Sequence, residues 1–212
     1  MSELTIACVL RSGGIYTDAW VERLQRGIER NITTPHSFVC LSDVPVSCKR
    51  IPLITDWPGW WSKLELFRPG LFDGPVLYFD LDTLIVGNLD RIVRHKHVFT
   101  GAHEYNRPTQ FCSTAMMWEG DFGIFEAFDM SLARNYRTHK KIGDQAFIED
   151  HLNATGVKWT TFRDLFGERT VASYKIHKCQ VKPPKDAVAV AFHGKPKPHE
   201  INFGWVASQW SC

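Results

Sequence analysis

The stretch Pro75-Val76-Leu77-Tyr78-Phe79-Asp80-Leu81-Asp82-Thr83-Leu84-Ile85-Val86-Gly87 constrains this chain most. Its apolar opening predicts a strand buried on both faces. Two carboxylates follow, one residue apart. In an extended backbone alternate side chains share a face, so Asp80 and Asp82 are expected to point at one site. Converging carboxylates repel each other unless a cation or a proton sits between them. Hard cations such as Mn²⁺ or Mg²⁺ take oxygen ligands and often complete their shell with phosphate oxygens. The competing reading is a strand end with two solvated acids, Asp82 capping a turn.

The elements before this stretch alternate. Leu4 to Leu10 reads as a buried strand, broken by Arg11-Ser12-Gly13-Gly14. Trp20, Val21, Leu24 and Ile28 recur at helical spacing, which predicts a helix over residues 17–30. Ser37 to Leu41 is a second strand. Arg50 to Ile54 is a short third one, placed at an edge by Pro52. Such alternation predicts one α/β layered domain over residues 1–212, with ligands beyond the carboxyl ends of the strands. Arg11 to Gly14, Asp43 and Asp80 to Asp82 all fall there. Further on, the pattern predicts helices at Trp60–Phe67, Leu89–Val93, 122–137 and from Gly143 to Leu152. It predicts strands at Val98–Ala102, Phe111–Trp118, Val157–Phe162 and Ala187–Phe192, and irregular chain over 163–185.

Composition removes several function classes. A formal charge of +2 without basic runs argues against nucleic acid and anionic membranes. No apolar window is long enough to span a bilayer. The start, Met1 to Ile6, lacks a basic leader and an apolar signal core, so a cytoplasmic protein is expected. The six cysteines, at 8, 40, 48, 112, 179 and 212, include no C-x-x-C pair. They are expected as free core thiols rather than zinc ligands.

Other residues carry chemistry only in combination. His193 follows a buried strand and precedes Gly194; it is a third metal ligand or a hydrogen-bonded strand end. Lys195 and Lys197 flank a phosphate, with Gly194 opening the backbone to it, or form a solvated basic loop. Lys63, inside an apolar helix, reaches a diphosphate or snorkels to water. Asp144, with Gln145 beside it, caps a helix or faces a sugar. Trp57, Trp60 and Trp61 stack on a sugar or pack the core.

Taken in order, these segments resemble one family. Tyr78-Phe79-Asp80-Leu81-Asp82-Thr83-Leu84-Ile85-Val86-Gly87-Asn88-Leu89-Asp90 is similar to the D-x-D segment of the GT-A-fold glycosyltransferases of family eight, which includes glycogenin and bacterial galactosyltransferases. Lys63-Leu64 is similar to the family's K-L segment, and Gly143-Asp144-Gln145 to its D-Q segment. His193-Gly194-Lys195-Pro196-Lys197-Pro198 is similar to its H-x-x-G-x-x-K-P segment. Small bacterial or phage-type members offer the best match. The resemblance implies a single-domain, Rossmann-like αβα fold around a mostly parallel mixed sheet. It implies a hexosyltransferase-like enzyme moving sugar from a nucleotide-sugar, usually a UDP-sugar, with retention. The acceptor, a glycan, protein or small molecule, stays open.

By the same resemblance, Asp80, Asp82 and His193 hold Mn²⁺ or Mg²⁺, and Lys197 contacts the diphosphate. Lys63 reaches the donor phosphate or sugar. Asp144 and Gln145 face the donor sugar, and Arg11 and the loop to Tyr16 lie near the nucleotide. The chain departs from the pattern in three places. His193 directly precedes Gly194, His199 replaces a tryptophan, and Phe111-Cys112-Ser113-Thr114 lacks an asparagine. Two alternatives stand beside this reading. One is a haloacid-dehalogenase-type phosphatase using Asp80, Asp82 and later acids at Asp144 and Glu149 or Asp150. The other is a nucleotide-sugar-binding protein without turnover.

Overall fold

The computed structural model describes residues 3–138 and 142–211. In chain order the elements are β1 (Leu4–Leu10), α1 (Asp18–Glu29), β2 (His36–Ser42), β3 (Lys49–Pro52), a 3₁₀ helix (Gly59–Phe67), β4 (Val76–Phe79), β5 (Thr83–Ile85), α2 (Asp90–Val93), β6 (Phe99–Glu104) and β7 (Arg107–Trp118). A second 3₁₀ helix (Met130–Tyr136), α3 (Gly143–Ala154), β8 (Trp159–Thr161), α4 (Phe162–Phe166), β9 (Val171–Ser173), β10 (Ala189–Ala191), a 3₁₀ turn (Pro198–Glu200) and α5 (Gly204–Ser211) complete it.

Seven strands form the central sheet in the order β3-β2-β1-β4-β7-β6-β8. The first four are parallel, β7 runs antiparallel to both β4 and β6, and β8 is parallel to β6. The strand order turns back at β1, which has β2 on one side and β4 on the other. A crevice at the carboxyl ends of β1 and β4 follows from that reversal.

Two apolar layers cover the sheet. On one side Ile6, Cys8 and Leu10 of β1 meet Trp20, Val21, Leu24 and Ile28 of α1, all buried. Each such side chain contributes about 1.5–3 kcal/mol by leaving water. On the other side Ala7 joins Phe67, Phe99, Trp118, Phe128 and Phe147. Packing here is tight: a Cβ at Gly101 would stand 2.1 Å from the Phe111 ring.

A second sheet, β5-β10-β9, has its own core of Leu84, Ala172, Tyr174, Val190 and Phe192, on which Val206 of α5 packs. This sheet matters for the site. β10 pairs antiparallel with β5, and Phe192 N–H donates to Asp82 O at 3.0 Å. The segment after β10 is thereby fixed beside Asp82.

Several expectations need revision. Residues 122–137 are helical only from Met130 to Tyr136, as a 3₁₀ helix, and the chain before that is turns. Phe122, Phe125 and Phe128, in the turns before that helix, pack on the same core. Residues 163–185 are not irregular throughout, since they hold most of α4 and all of β9. Thr161 Oγ1 accepts the Asp164 N–H at 3.1 Å, which ends β8 early and starts α4. The last strand belongs to the small sheet. The expectation of free thiols holds for Cys8, Cys40, Cys48, Cys112 and Cys179. Cys212, like Met1 and Ser2 at the expected leaderless start, lies outside the described residues. No helix among the described residues is long and apolar enough to cross a membrane.

Candidate active site

β4 is buried along its whole length, and its last residue is Phe79. Asp80 N–H still donates to Thr114 O of β7 at 2.9 Å, but the chain then turns, with Thr83 N–H donating to Asp80 O at 3.1 Å. Asp80 and Asp82 therefore do not share a face as alternate residues of an extended strand. A turn, not the pleat, brings both to the wall of one cavity.

Each carboxylate has a lysine. Lys63 Nζ lies 2.9 Å from Asp80 Oδ1 and 3.1 Å from Asp144 Oδ2, and donates to Ser113 Oγ at 3.0 Å. Ser113 Oγ in turn donates to Asp144 Oδ2 at 2.6 Å, and Tyr78 OH to Asp80 Oδ1 at 2.6 Å. Lys197 Nζ is hydrogen bonded to Asp82 Oδ2, which also accepts from Tyr16 OH at 2.9 Å. Lys197 further donates to Phe192 O at 3.1 Å.

Burial sets the electrostatics. Desolvation alone would push the Lys63 ammonium towards neutrality, but Asp144 and then Asp80 outweigh it, and its pKa is raised. Burial, then the charge of Asp80, raises Asp82 above the usual carboxylate range, against the pull of Lys197. Burial and the Asp82 charge also raise the Tyr16 phenol, so it stays a donor. Three carboxylates face two ammonium groups in this cluster. The excess negative charge, with Asp80 and Asp82 repelling each other, is what a hard cation would neutralise.

The cavity has a volume of about 560 Å³. One wall is the loop after β1, from Arg11 to Tyr16; another is Pro58 to Lys63; the floor is Val9 with Tyr78 to Asp82. Arg11 Nη1 donates to Thr55 O at 3.0 Å, and its Nε lies 3.7 Å from Asp43. Ser12 is held by the same Asp43 through N–H (2.8 Å) and Oγ (2.6 Å). Both groups sit beyond the ends of β1 and β2, as the strand pattern predicts.

The remaining candidates divide. Asp144 is not a helix cap. Ile142 holds that position, and the Asp144 carboxylate turns to Lys63 and Ser113. Gln145 follows it, half-buried. Lys197 reaches the carboxylates, whereas Lys195 is 87% exposed and pairs with Glu200 at 3.6 Å. Gly194 takes φ +69°, open to glycine at little strain. His193 turns away: its Nε2 is 2.7 Å from Ser173 Oγ, and its ring stacks on Tyr105 at 5.1 Å. Burial, then Lys175, lowers its pKa. Among the described residues no three His, Cys, Asp or Glu side chains are gathered to hold a metal. The expected trio of Asp80, Asp82 and His193 is thus not assembled, and the two carboxylates alone are. Of the tryptophans, Trp57 and Trp61 pack on Phe128, while Trp60 fronts the cavity. Tyr78 and Ser113, which hydrogen bond to the carboxylates of Asp80 and Asp144, are partners that the sequence reading did not single out.

The comparisons agree with this architecture. No protein-family model matches the chain, and no curated protein matches it in sequence. Solved structures do. It is similar to the glycosyltransferase GlyE of Streptococcus pneumoniae TIGR4 at 12% identity and TM-score 0.66, over 100% of this chain and 60% of that one. The apo form of GlyE aligns with TM-score 0.68 at 12% identity, over 99% of this chain and again 60% of that one. The galactosyltransferase LgtC, in complex with donor and acceptor sugar analogues, aligns at 13% identity and TM-score 0.65, over 98% of this chain and 94% of LgtC. The chain thus spans about three fifths of the GlyE structures. These likenesses show the fold: a Rossmann-like GT-A arrangement around a mostly parallel mixed sheet.

Proposed function

We propose that the protein is a metal-dependent glycosyltransferase that takes a hexosyl group from a UDP-sugar. The observation that carries this reading is the cavity itself. It lies at the carboxyl ends of β1 and β4, is large enough for a nucleotide-sugar, and is floored by the Asp80–Asp82 pair. A GT-A fold around it supports the same class of chemistry.

Asp80 and Asp82 fit a divalent cation whose remaining ligands are phosphate oxygens and water, because two carboxylates suffice for such a site. A cation bound there would stabilise the departing nucleotide diphosphate. The chain's own groups do the rest. Lys197, freed from Asp82, has its ammonium beside the same carboxylate and can pair with phosphate. Lys63 stays buried and holds Asp80 and Asp144 in place. Asp144 and Gln145 face the donor sugar, and the loop Arg11–Tyr16 holds the nucleotide. Transfer proceeds with retention to a glycan, protein or small-molecule acceptor.

The phosphatase alternative is weaker. Its acid pair would end the first strand, yet here four strands precede Asp80, counting β4 itself. Glu149, its candidate later acid, accepts the Phe111 N–H at 3.2 Å. A panel of nucleotide-sugars, with and without Mn²⁺ and read as released nucleotide, tests the proposal. Mn²⁺-dependent release from a UDP-sugar is expected. Tight binding without release would favour a binding protein, and release of phosphate from simple phosphomonoesters would favour the phosphatase.

A further inference from the structure

Three tryptophans stand at the entrance to the first 3₁₀ helix, and the core takes only two. Trp61 is 2% exposed and stacks on Phe128 at 4.7 Å. Trp57 meets the same ring edge-on at 4.9 Å. Trp60 is 54% exposed and lines the cavity. A large ring left half in water adds less to folding than its neighbours do, so its position calls for another account.

The helix type explains where the ring points. In a 3₁₀ helix residues three apart eclipse, so Trp60 lies on the same edge as Lys63. Lys63 is the residue that joins Asp80 to Asp144. The indole also leans on the start of α3. A Cβ at Gly143 would stand 3.1 Å from its Nε1 and 3.3 Å from two ring carbons. Gly143 has φ +68°, so glycine serves there both for the turn and for the close approach. The apolar face of Trp60 therefore stands in the cavity wall with Lys63, against the start of α3, the turn that also carries Asp144 and Gln145. An apolar platform with polar groups close by matches a pyranose, which has an apolar C–H face and a hydroxyl-bearing edge.

We propose that Trp60 is the platform on which the donor's pyranose ring stacks, while Asp144 and Gln145 take its hydroxyls. This deepens the nucleotide-sugar reading and rests on it. A nucleobase could also stack on an indole. Groups suited to a base, Arg11, Ser12 and Asp43, belong instead to the ends of β1 and β2.

Calorimetry on wild type, Trp60→Ala and Trp60→Phe distinguishes these outcomes. Each is titrated, in Mn²⁺, with UDP and with UDP-glucose, UDP-galactose and UDP-N-acetylglucosamine. Trp60→Ala should bind UDP as wild type does and the preferred UDP-sugar about tenfold more weakly, and Trp60→Phe should recover most of that loss. Melting temperatures should stay together, because the ring is largely exposed. Equal losses for UDP and UDP-sugar would move the ring under the base and overturn the proposal. Unchanged binding of every ligand would overturn it too. Wild type that binds UDP but none of the sugars would do the same while sparing the nucleotide site. Wild type that binds no nucleotide would defeat the functional reading itself, and the platform with it.

Discussion

Replacing Lys63 by Met would remove the one cation shared by Asp80 and Asp144. Lys63 is 6% exposed, and its ammonium makes three contacts of 2.9–3.1 Å, to two carboxylates and a serine. Methionine nearly preserves the volume, so packing is a minor part of the effect. The major part is the lost counter-charge: the buried Asp144 keeps only the Ser113 hydroxyl and the part-buried Asp80 only the Tyr78 hydroxyl, which costs about 3–5 kcal/mol. For a chain of this size that corresponds to a fall of about 6–20 °C in melting temperature. In wild type the raised pKa of Lys63 means that its contribution is complete below the ordinary lysine value of 10.5 and is lost only as pH rises through the folded value. The ammonium therefore contributes equally at pH 5 and pH 8. The deficit in the variant should therefore be the same at both. Urea unfolding of both proteins at the two pH values measures this. A loss under about 1 kcal/mol at pH 8, as for an exposed ion pair, would refute the reasoning.

Asp144→Asn keeps the hydrogen bond from Ser113 but not the charge, so it should lower stability by about 1–2 kcal/mol; donor turnover should fall by orders of magnitude while UDP binding persists, as read by denaturation, nucleotide release and calorimetry. Burial lowers the pKa of His97, His103, His177 and His193. A depressed histidine contributes stability that is complete above the unfolded value of 6.5 and is lost as pH falls towards the folded value, so unfolding free energy should decline below about pH 6.5, by up to ~1.4 kcal/mol per pH unit for each proton taken up; urea melts at pH 7.5, 6.5 and 5.5 check it, and a flat profile would contradict it.

The sheet was legible because its strands are apolar runs and its first helix has a clean period. β1, α1, β2 and β4 stand within a residue or two of expectation. Elements that depend on distant partners were not. β9 is three residues long and is a strand only because β10 pairs with it. The stretch 122–137 is helical only over Met130–Tyr136, and the turns before it are set by Phe122, Phe125 and Phe128 packing on the distant core. At the site, the residue types of the D-x-D segment pointed to the right place for the wrong local reason, since a turn and not the pleat aligns the acids. Lys63 shows the difference most clearly. Sequence shows a lysine in an apolar helix, which reads equally as a snorkelling side chain. Only the fold brings β7 and α3 against that helix, and so supplies Ser113 and Asp144. His193 turned to Ser173 for a similar reason: β9, invisible in the sequence, provides the serine.

The central claim is that Asp80 and Asp82 hold a cation through which a nucleotide diphosphate binds. Calorimetric titration of UDP into wild type and Asp82→Asn, with Mn²⁺ and with a chelator in its place, tests it most directly. Wild type should bind UDP in Mn²⁺ and lose most of that affinity with the chelator. Asp82→Asn should bind weakly in both conditions while melting cooperatively. UDP affinity that is equal with and without Mn²⁺, or undiminished in Asp82→Asn, would contradict the account.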